Sequence, residues 1–320
     1  MKNYLVTGGA GFIGSHLVNF LVNSGDKVTV VDINFLKKSF FSSSGLDKKT
    51  DVIVCDIRNA REVDRLVESG KFDFIFHLAA QPIVDTAYFD PLETFDTNIM
   101  GTANVLEAAR HSRTISAVLV TSSDKAYGKI SRASENDPLL GNHPYEVSKS
   151  SADLIATTYF KTYGLPVVVT RFGNVYGEGD IHFDRIIPGV MESLVTNRQL
   201  AIRSDGKYVR DYVYVGDVVD AMINISKNIN KTAGEAFNIS SNENLSVTGL
   251  IDKIEKITGF KTQYKIMNIS KNEIPKQSVD FSKIKKNLGW KPKYSLTKTI
   301  PGVFEWYKTY FAGNSPVDVK

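Results

Sequence analysis

Cysteine is almost missing from the 320-residue chain, which has one, Cys55. A single cysteine excludes an internal disulfide framework and a cysteine metal cluster. Its place in the apolar run Val52-Ile53-Val54-Cys55 makes it a core residue. The five histidines stand at no metal-ligand spacing. No apolar run approaches the roughly 18 residues that a membrane helix needs. The N-terminus opens directly into a strand-like segment, without signal-peptide architecture. These absences predict a cytoplasmic protein with no bound metal and no membrane partner. Charge of one sign is scarce too, with a net charge of only +4. The one basic concentration, Lys283 to Lys293, reads as a solvated helix face and turn, so no nucleic-acid partner is expected.

What is present is an ordinary globular composition, 42% hydrophobic and 23% charged, with enough chain for one large domain or two unequal ones. The first half alternates strands and helices. Strands are predicted over Tyr4–Val6, Lys27–Asp32, Asp51–Cys55, Phe72–Leu78, Ile115–Thr121 and Val167–Phe172. Helices are predicted over Phe12–Leu21, Ala60–Glu68, Pro91–Ser112 and Tyr145–Tyr163. The polar stretch Phe35–Thr50 reads as an exposed, mobile loop. The strands are continuous Val/Ile runs, as suits a parallel sheet buried on both faces. The pattern predicts an α/β fold, a doubly wound parallel sheet of Rossmann type. Residues 1–172 would form the nucleotide-binding domain. Residues 173–320 would be mainly a smaller α/β substrate domain, with some segments returning to the first. Short strands are expected there at Leu200–Arg203, Val209–Tyr214 and Ala236–Ser240, and helices at 185–196, 247–258, 282–288 and 296–310.

Two motifs carry the chemistry. The first is Thr7-Gly8-Gly9-Ala10-Gly11-Phe12-Ile13-Gly14. A strand, a loop with Gly8, Gly11 and Gly14, and a helix put backbone N–H groups and a helix N-terminus at one point, where a pyrophosphate binds. Asp32 ends the second strand, where a carboxylate accepts hydrogen bonds from ribose hydroxyls and repels a 2′-phosphate, so NAD is favoured over NADP. Asp56-Ile57 ends the third and is a candidate for the adenine edge. The plainer reading of both aspartates is strand-end solvation.

The second motif is Ser122-Ser123-Asp124-Lys125 with Tyr145-x-x-x-Lys149. Tyr145 and Lys149 share a helix face. A tyrosine with a pKa near 10 acts as a base only if that value is lowered, and a nearby ammonium and a hydrogen bond from Ser123 act in that direction. Asp124 beside this group is a candidate acid for a leaving hydroxyl if burial raises its pKa. The alternative is that Asp124 caps a turn and Lys125 is solvated.

Together these residues resemble the extended short-chain dehydrogenase/reductase family, in its sugar-nucleotide-modifying branch. The resemblance covers nearly the whole chain. It runs through Thr7–Gly14, His77-Leu78-Ala79-Ala80, Asn98-x-x-Gly101-Thr102, Tyr145–Lys149, Arg171–Gly177, Arg210-Asp211-Tyr212-Val213 and Leu288–Pro292. Ser122–Tyr127 resembles the active-site segment of nucleotide-sugar 4,6-dehydratases. The Asp-Lys pair is most similar to that of CDP-glucose 4,6-dehydratases, as are Gln81-Pro82 and Asp184–Pro188. The glycine loop is closer to that of epimerases, and Arg210–Val213 has the general family form.

The resemblance implies NAD held by Gly8, Gly11, Phe12, Ile13, Gly14, Asp32, Asp56, Ile57, Leu78, Ala79, Ala80, Asn98, Tyr145 and Lys149. It implies a nucleoside-diphosphate sugar held by Gln81, Asn174, Arg185 and Arg210. It gives Ser123, Asp124, Lys125, Tyr145 and Lys149 the chemistry, and predicts a homodimer through the helices Pro91–Ser112 and Tyr145–Tyr163. Lys125 would be the C5 base or a stabiliser of the enolate. The expected activity is 4,6-dehydration of an NDP-hexose, CDP-glucose foremost. A nucleotide-sugar 4-epimerase, a UDP-glucuronate decarboxylase and a non-catalytic NAD-binding regulator are the alternatives.

Overall fold

The computed structural model describes residues 1–269 and 274–313. Its strands are β1 (Asn3–Thr7), β2 (Lys27–Asp32), β3 (Asp51–Val54), β4 (Phe74–His77), β5 (Ala117–Ser123), β6 (Val167–Phe172), β7 (Asn174–Tyr176), β8 (Leu200–Ile202), β9 (Val209–Tyr214), β10 (Ala236–Ile239), β11 (Asn244–Ser246), β12 (Tyr264–Ile266) and β13 (Lys276–Gln277). The helices that matter below are α1 (Phe12–Asn23), α2 (Phe40–Ser43), α3 (Ala60–Gly70), α4 (Val84–Phe89), α5 (Pro91–Phe95), α6 (Gly101–His111), α7 (Pro144–Tyr163), α8 (Ile186–Thr196) and α9 (Val215–Lys227).

Seven parallel strands form the main sheet in the order β10-β6-β5-β4-β1-β2-β3. One apolar core lies on each face. Leu17, Val18 and Leu21 of α1 pack with Val218 and Met222 of α9 on one side. Val63 and Val67 of α3 pack with Val105 and Leu106 of α6 on the other. The order reverses between β1 and β4, so the crevice at a doubly wound switch point opens at the C-terminal ends of these strands. A smaller layer, β11-β9-β13 with β7 on β9, and a β12-β8 pair cover this edge. A third core, including Val190, Met191, Ile251 and Ile300, supports it.

Four elements depart from expectation. Ala236–Ile239 does not join the smaller layer. It pairs in parallel with β6, Ala236 opposite Val169, and widens the main sheet. Phe35–Thr50 is not simply an exposed loop, because Phe41 in α2 and Leu46 in a 3₁₀ turn are fully buried against α1. Two apolar anchors in a polar tract are enough to pin it. The helix α9 follows β9 directly, with no side-chain cap and only Gly216 and Asp217 in its first turn to separate the two apolar runs. The helix over 91–112 is real but interrupted by a π turn at Asp96–Met100. Such turns often mark functional sites.

Candidate active site

All the expected residues except Asn98 and Arg210 line one cleft of about 690 Å³ at the C-terminal edge of the sheet. That size suits a cofactor with substrate beside it.

β1 ends in the glycine loop, with α1 starting at Phe12. The loop leaves no room for side chains. A Cβ on Gly14 would lie 2.1 Å from the Gly8 carbonyl oxygen, and one on Gly8 would lie 2.6 Å from the Ala79 nitrogen. Gly8 also has φ +69°, which only glycine adopts freely. Below the loop the buried His77 joins two elements. Its Nδ1 is 2.7 Å from Thr7 Oγ1 and its Nε2 3.0 Å from Thr102 Oγ1. Burial, with a smaller effect from the Lys149 charge, pushes His77 down to about 3, so it is a neutral strut. Asp32 accepts from Ala10 N at 3.2 Å and Ile33 N at 2.9 Å, while burial raises its pKa. Asp32 lines the cleft beside the glycine loop, where a carboxylate meets ribose hydroxyls. Asp56 and Ile57 line the same end. Asp56 is paired with Arg58, Nη2 to Oδ2 at 2.6 Å, whose hydrogen bonds hold its carboxyl below the usual range. The cradle therefore fits a dinucleotide. Phe12, Ile13, Leu78, Ala79 and Ala80 complete its walls.

Asn98 is a correction. It does not face the cleft. Both its N–H bonds are used internally, donating to Gln81 O at 3.1 Å and Ser148 Oγ at 2.9 Å, and its Oδ1 accepts from Gln81 N at 2.7 Å. The π turn presents it inward, so it braces the Gln81 segment against α7. Gln81 itself lines the cleft, its side chain tied to Ile83 N, Ile83 O and Thr94 Oγ1.

The second motif sits on the other wall. α7 begins one residue before Tyr145, because Pro144 occupies the first turn and the Glu146 carboxylate takes the Asn142 and His143 N–H groups. Arg171 locks this helix to β6 through two hydrogen bonds to Asp153, at 2.7 and 2.9 Å, and reaches Tyr127 Oη at 2.6 Å. The helix and the 3₁₀ turn Asp124–Tyr127 are thus fixed to one buried cation. Ser123 Oγ donates to Asp124 Oδ1 at 3.0 Å, accepts from Lys125 N at 3.2 Å and hydrogen-bonds Tyr145.

Electrostatics corrects a second expectation. Burial outweighs every charge near Tyr145, so its pKa is raised rather than lowered. Lys149 Nζ donates to Thr121 O at 3.4 Å, and burial lowers its pKa to about 8. Burial raises Tyr145 to about 12, opposed by the charge of Arg185 and the hydrogen bond with Ser123. Arg185 lines the cleft and is held by the buried Asp180, Nη1 to Oδ2 at 3.1 Å.

Asp124 is not a solvated turn cap. It is 4% exposed, and its Oδ2 has no hydrogen-bond partner among the described residues. Burial raises its pKa, against the charges of Lys125 and Arg210 and a bond from Ser123. Asp211 lies close enough for the charge of Asp124 to matter. Burial first, then that charge, raises Asp211 to about 6. Arg210 donates Nη1 to Val209 O at 2.9 Å and lies over the Tyr208 ring. Asn174 lines the cleft with its buried Nδ2 unpaired among the described residues, as a waiting donor would be. The sequence reading missed Gln277, which meets Lys125 from 152 residues away. It also missed Asp180 and Arg58. No local pattern marks the first two, although Arg58 is only two residues from Asp56.

Residues 5–302 match the family described as GDP-mannose 4,6 dehydratase. The chain belongs to this family. It is a member of the nucleotide-sugar 4,6-dehydratase branch of the extended short-chain dehydrogenase/reductases, and its cofactor is NAD. It is 32% identical over 259 residues to human dTDP-D-glucose 4,6-dehydratase, covering 79% of this chain and 73% of that one. It is 33% identical over 216 residues to the CDP-glucose 4,6-dehydratase of Salmonella typhimurium, covering 63% and 60%. Among solved structures, the UDP-glucose 4-epimerase of Thermotoga maritima superposes with a TM-score of 0.89 at 30% identity, covering 97% and 99%. DesIV, the dTDP-glucose 4,6-dehydratase of Streptomyces venezuelae solved with NAD bound, superposes with 0.88 at 30% identity, covering 96% and 97%. Overall shape is common to both chemistries, so residues of the site have to separate them.

Proposed function

We propose that this protein converts an NDP-hexose, with CDP-glucose the favoured substrate, to the NDP-4-keto-6-deoxyhexose. The observation that carries the reading is Asp124, buried, with one unpartnered oxygen and a raised pKa, one hydroxyl away from Tyr145. A 4-epimerase moves a hydride and a hydroxyl proton and has no use for a second acid. A dehydratase needs one to release water. The Asp124-Lys125 pair favours CDP-glucose.

NAD supplies the hydride acceptor at C4 and the hydride donor at C6. Residues 1–172 hold it, and residues 173–320 mainly hold the substrate. Tyr145 takes the C4 hydroxyl proton, aided by Ser123 and by the positive field of Arg185. The resulting C4 ketone acidifies C5–H. Lys125 takes that proton as a base or stabilises the enolate as a cation. Asp124 gives its proton to the C6 oxygen as the C6–O bond breaks, and a proton returns to C5. Asn174, Arg185 and Arg210 hold the diphosphate, where a guanidinium offers a fork of donors. Gln81 contacts the sugar.

The 4-epimerase is the second reading, supported by the epimerase-like glycine loop and the Thermotoga fold match. Asp124→Asn separates the two. In a dehydratase it oxidises C4 and then stalls, so reduced cofactor accumulates and water release falls at least about 10²-fold. Unimpaired turnover in that variant rules the dehydratase assignment out.

A further inference from the structure

Lys125 emerges from the 3₁₀ turn that carries Asp124. Its backbone N–H is fixed by Ser123 Oγ, but four rotatable bonds separate that anchor from its amine. The amine donates to Gln277 Oε1 at 3.2 Å. Gln277 lies on β13, opposite Arg210 of β9, and is 2% exposed. Its Nε2 has no hydrogen-bond partner among the described residues. An unpaired buried amide carries a desolvation cost that an apolar side chain of the same length would avoid. The acceptor is neutral. A carboxylate there would ion-pair with Lys125 and crowd a third anion against Asp124 and Asp211.

We propose that Gln277 is the positioning residue for Lys125, holding its amine where removal of the C5 proton depends on it. The inference rests on the dehydratase reading. It separates the two halves of the reaction, because Tyr145 and Ser123 make no use of Gln277, so C4 oxidation proceeds without it.

The test follows two signals with the NDP-hexose substrate in deuterated water: reduced nicotinamide absorbance for C4 oxidation, and deuterium at C5 with water loss for elimination. Gln277→Met keeps the length and removes the acceptor. It is expected to leave C4 oxidation within about twofold of wild type and to slow C5 exchange and water loss by about 10- to 100-fold, the range for a displaced catalytic group. The slowing should vanish in a Lys125→Met background, since a residue acting through another is non-additive with it. Gln277→Glu preserves the packing if the Met variant does not fold, and is expected to slow elimination alone. The inference is overturned if elimination is unchanged in these variants, if C4 oxidation slows equally, or if the effect persists without Lys125. Failure of the wild type to release water from any NDP-hexose instead overturns the dehydratase reading, and this inference with it.

Discussion

At the scale of single residues, Lys149 shows function working against stability. The side chain is buried, and burial lowers its pKa to about 8 from an ordinary 10.5. Below pH 8 the folded state must carry a charge that water would solvate better. From about 8 to 10.5 the unfolded chain binds more protons than the folded one, so this penalty fades as pH rises. It is worth about 3 kcal/mol at neutral pH. Lys149→Met is expected to be inactive yet more stable than wild type in denaturant melts of the cofactor-free protein at pH 7. The difference should shrink through that window and be gone above it. A variant less stable at pH 7 would contradict the burial argument. Tyr145→Phe is expected to keep the fold and NAD binding and to lose C4 oxidation by about 10²- to 10⁴-fold, followed by cofactor reduction in a single turnover. These residues were legible because their chemistry depends on local spacing: glycines three positions apart, or a tyrosine and lysine on one helix face. Gln277 was not legible, because its role depends on β13 docking beside β9. Asn98 was legible as important but not for its task, which the inward turn of the backbone decides.

Elements decide whether those residues meet. The π turn Asp96–Met100 aims the Asn98 carboxamide at Gln81 and Ser148. Asn98→Ala leaves buried donors and acceptors unpaired at about 1–3 kcal/mol each. The expected result is a lower denaturation midpoint together with weaker substrate binding, since Gln81 loses its anchor. Unchanged KM with only the midpoint lowered would show that the brace serves stability alone. In the glycine loop, Gly14→Ala forces a methyl into the Gly8 carbonyl. It is expected to abolish retention of NAD, read from the cofactor content of the purified protein. Periodicity found most of the main-sheet strands because buried parallel strands are continuous apolar runs. It missed α9, whose Val218, Val219, Met222 and Ile225 continue the apolar character of β9 after only Gly216 and Asp217, and it did not say that β10 is a segment that returns to the main sheet. The choice of sheet is a tertiary decision that a four-residue strand does not encode.

For the whole molecule, α4, α5, the π turn, α6 and α7 form one packed face. It leaves Phe89, Leu92, Met100 and Leu154 between 52% and 82% exposed. A homodimer through these helices, as the sequence leads one to expect, would bury this apolar band. Leu92→Glu combined with Leu154→Glu is expected to give monomers in sedimentation. A wild type that sediments as a monomer would contradict the dimer. No helix among the described residues is long and apolar enough to cross a membrane. The central claim concerns chemistry on a scaffold that dehydratases share with epimerases, and one measurement reaches it most directly. The purified protein with NAD is incubated with CDP-, dTDP-, UDP- and GDP-hexoses and the products are weighed by mass spectrometry. The account predicts loss of one water from one of them, CDP-glucose first. An unchanged mass with a new sugar stereoisomer by NMR would contradict it, making the protein an epimerase and Asp124 a structural residue.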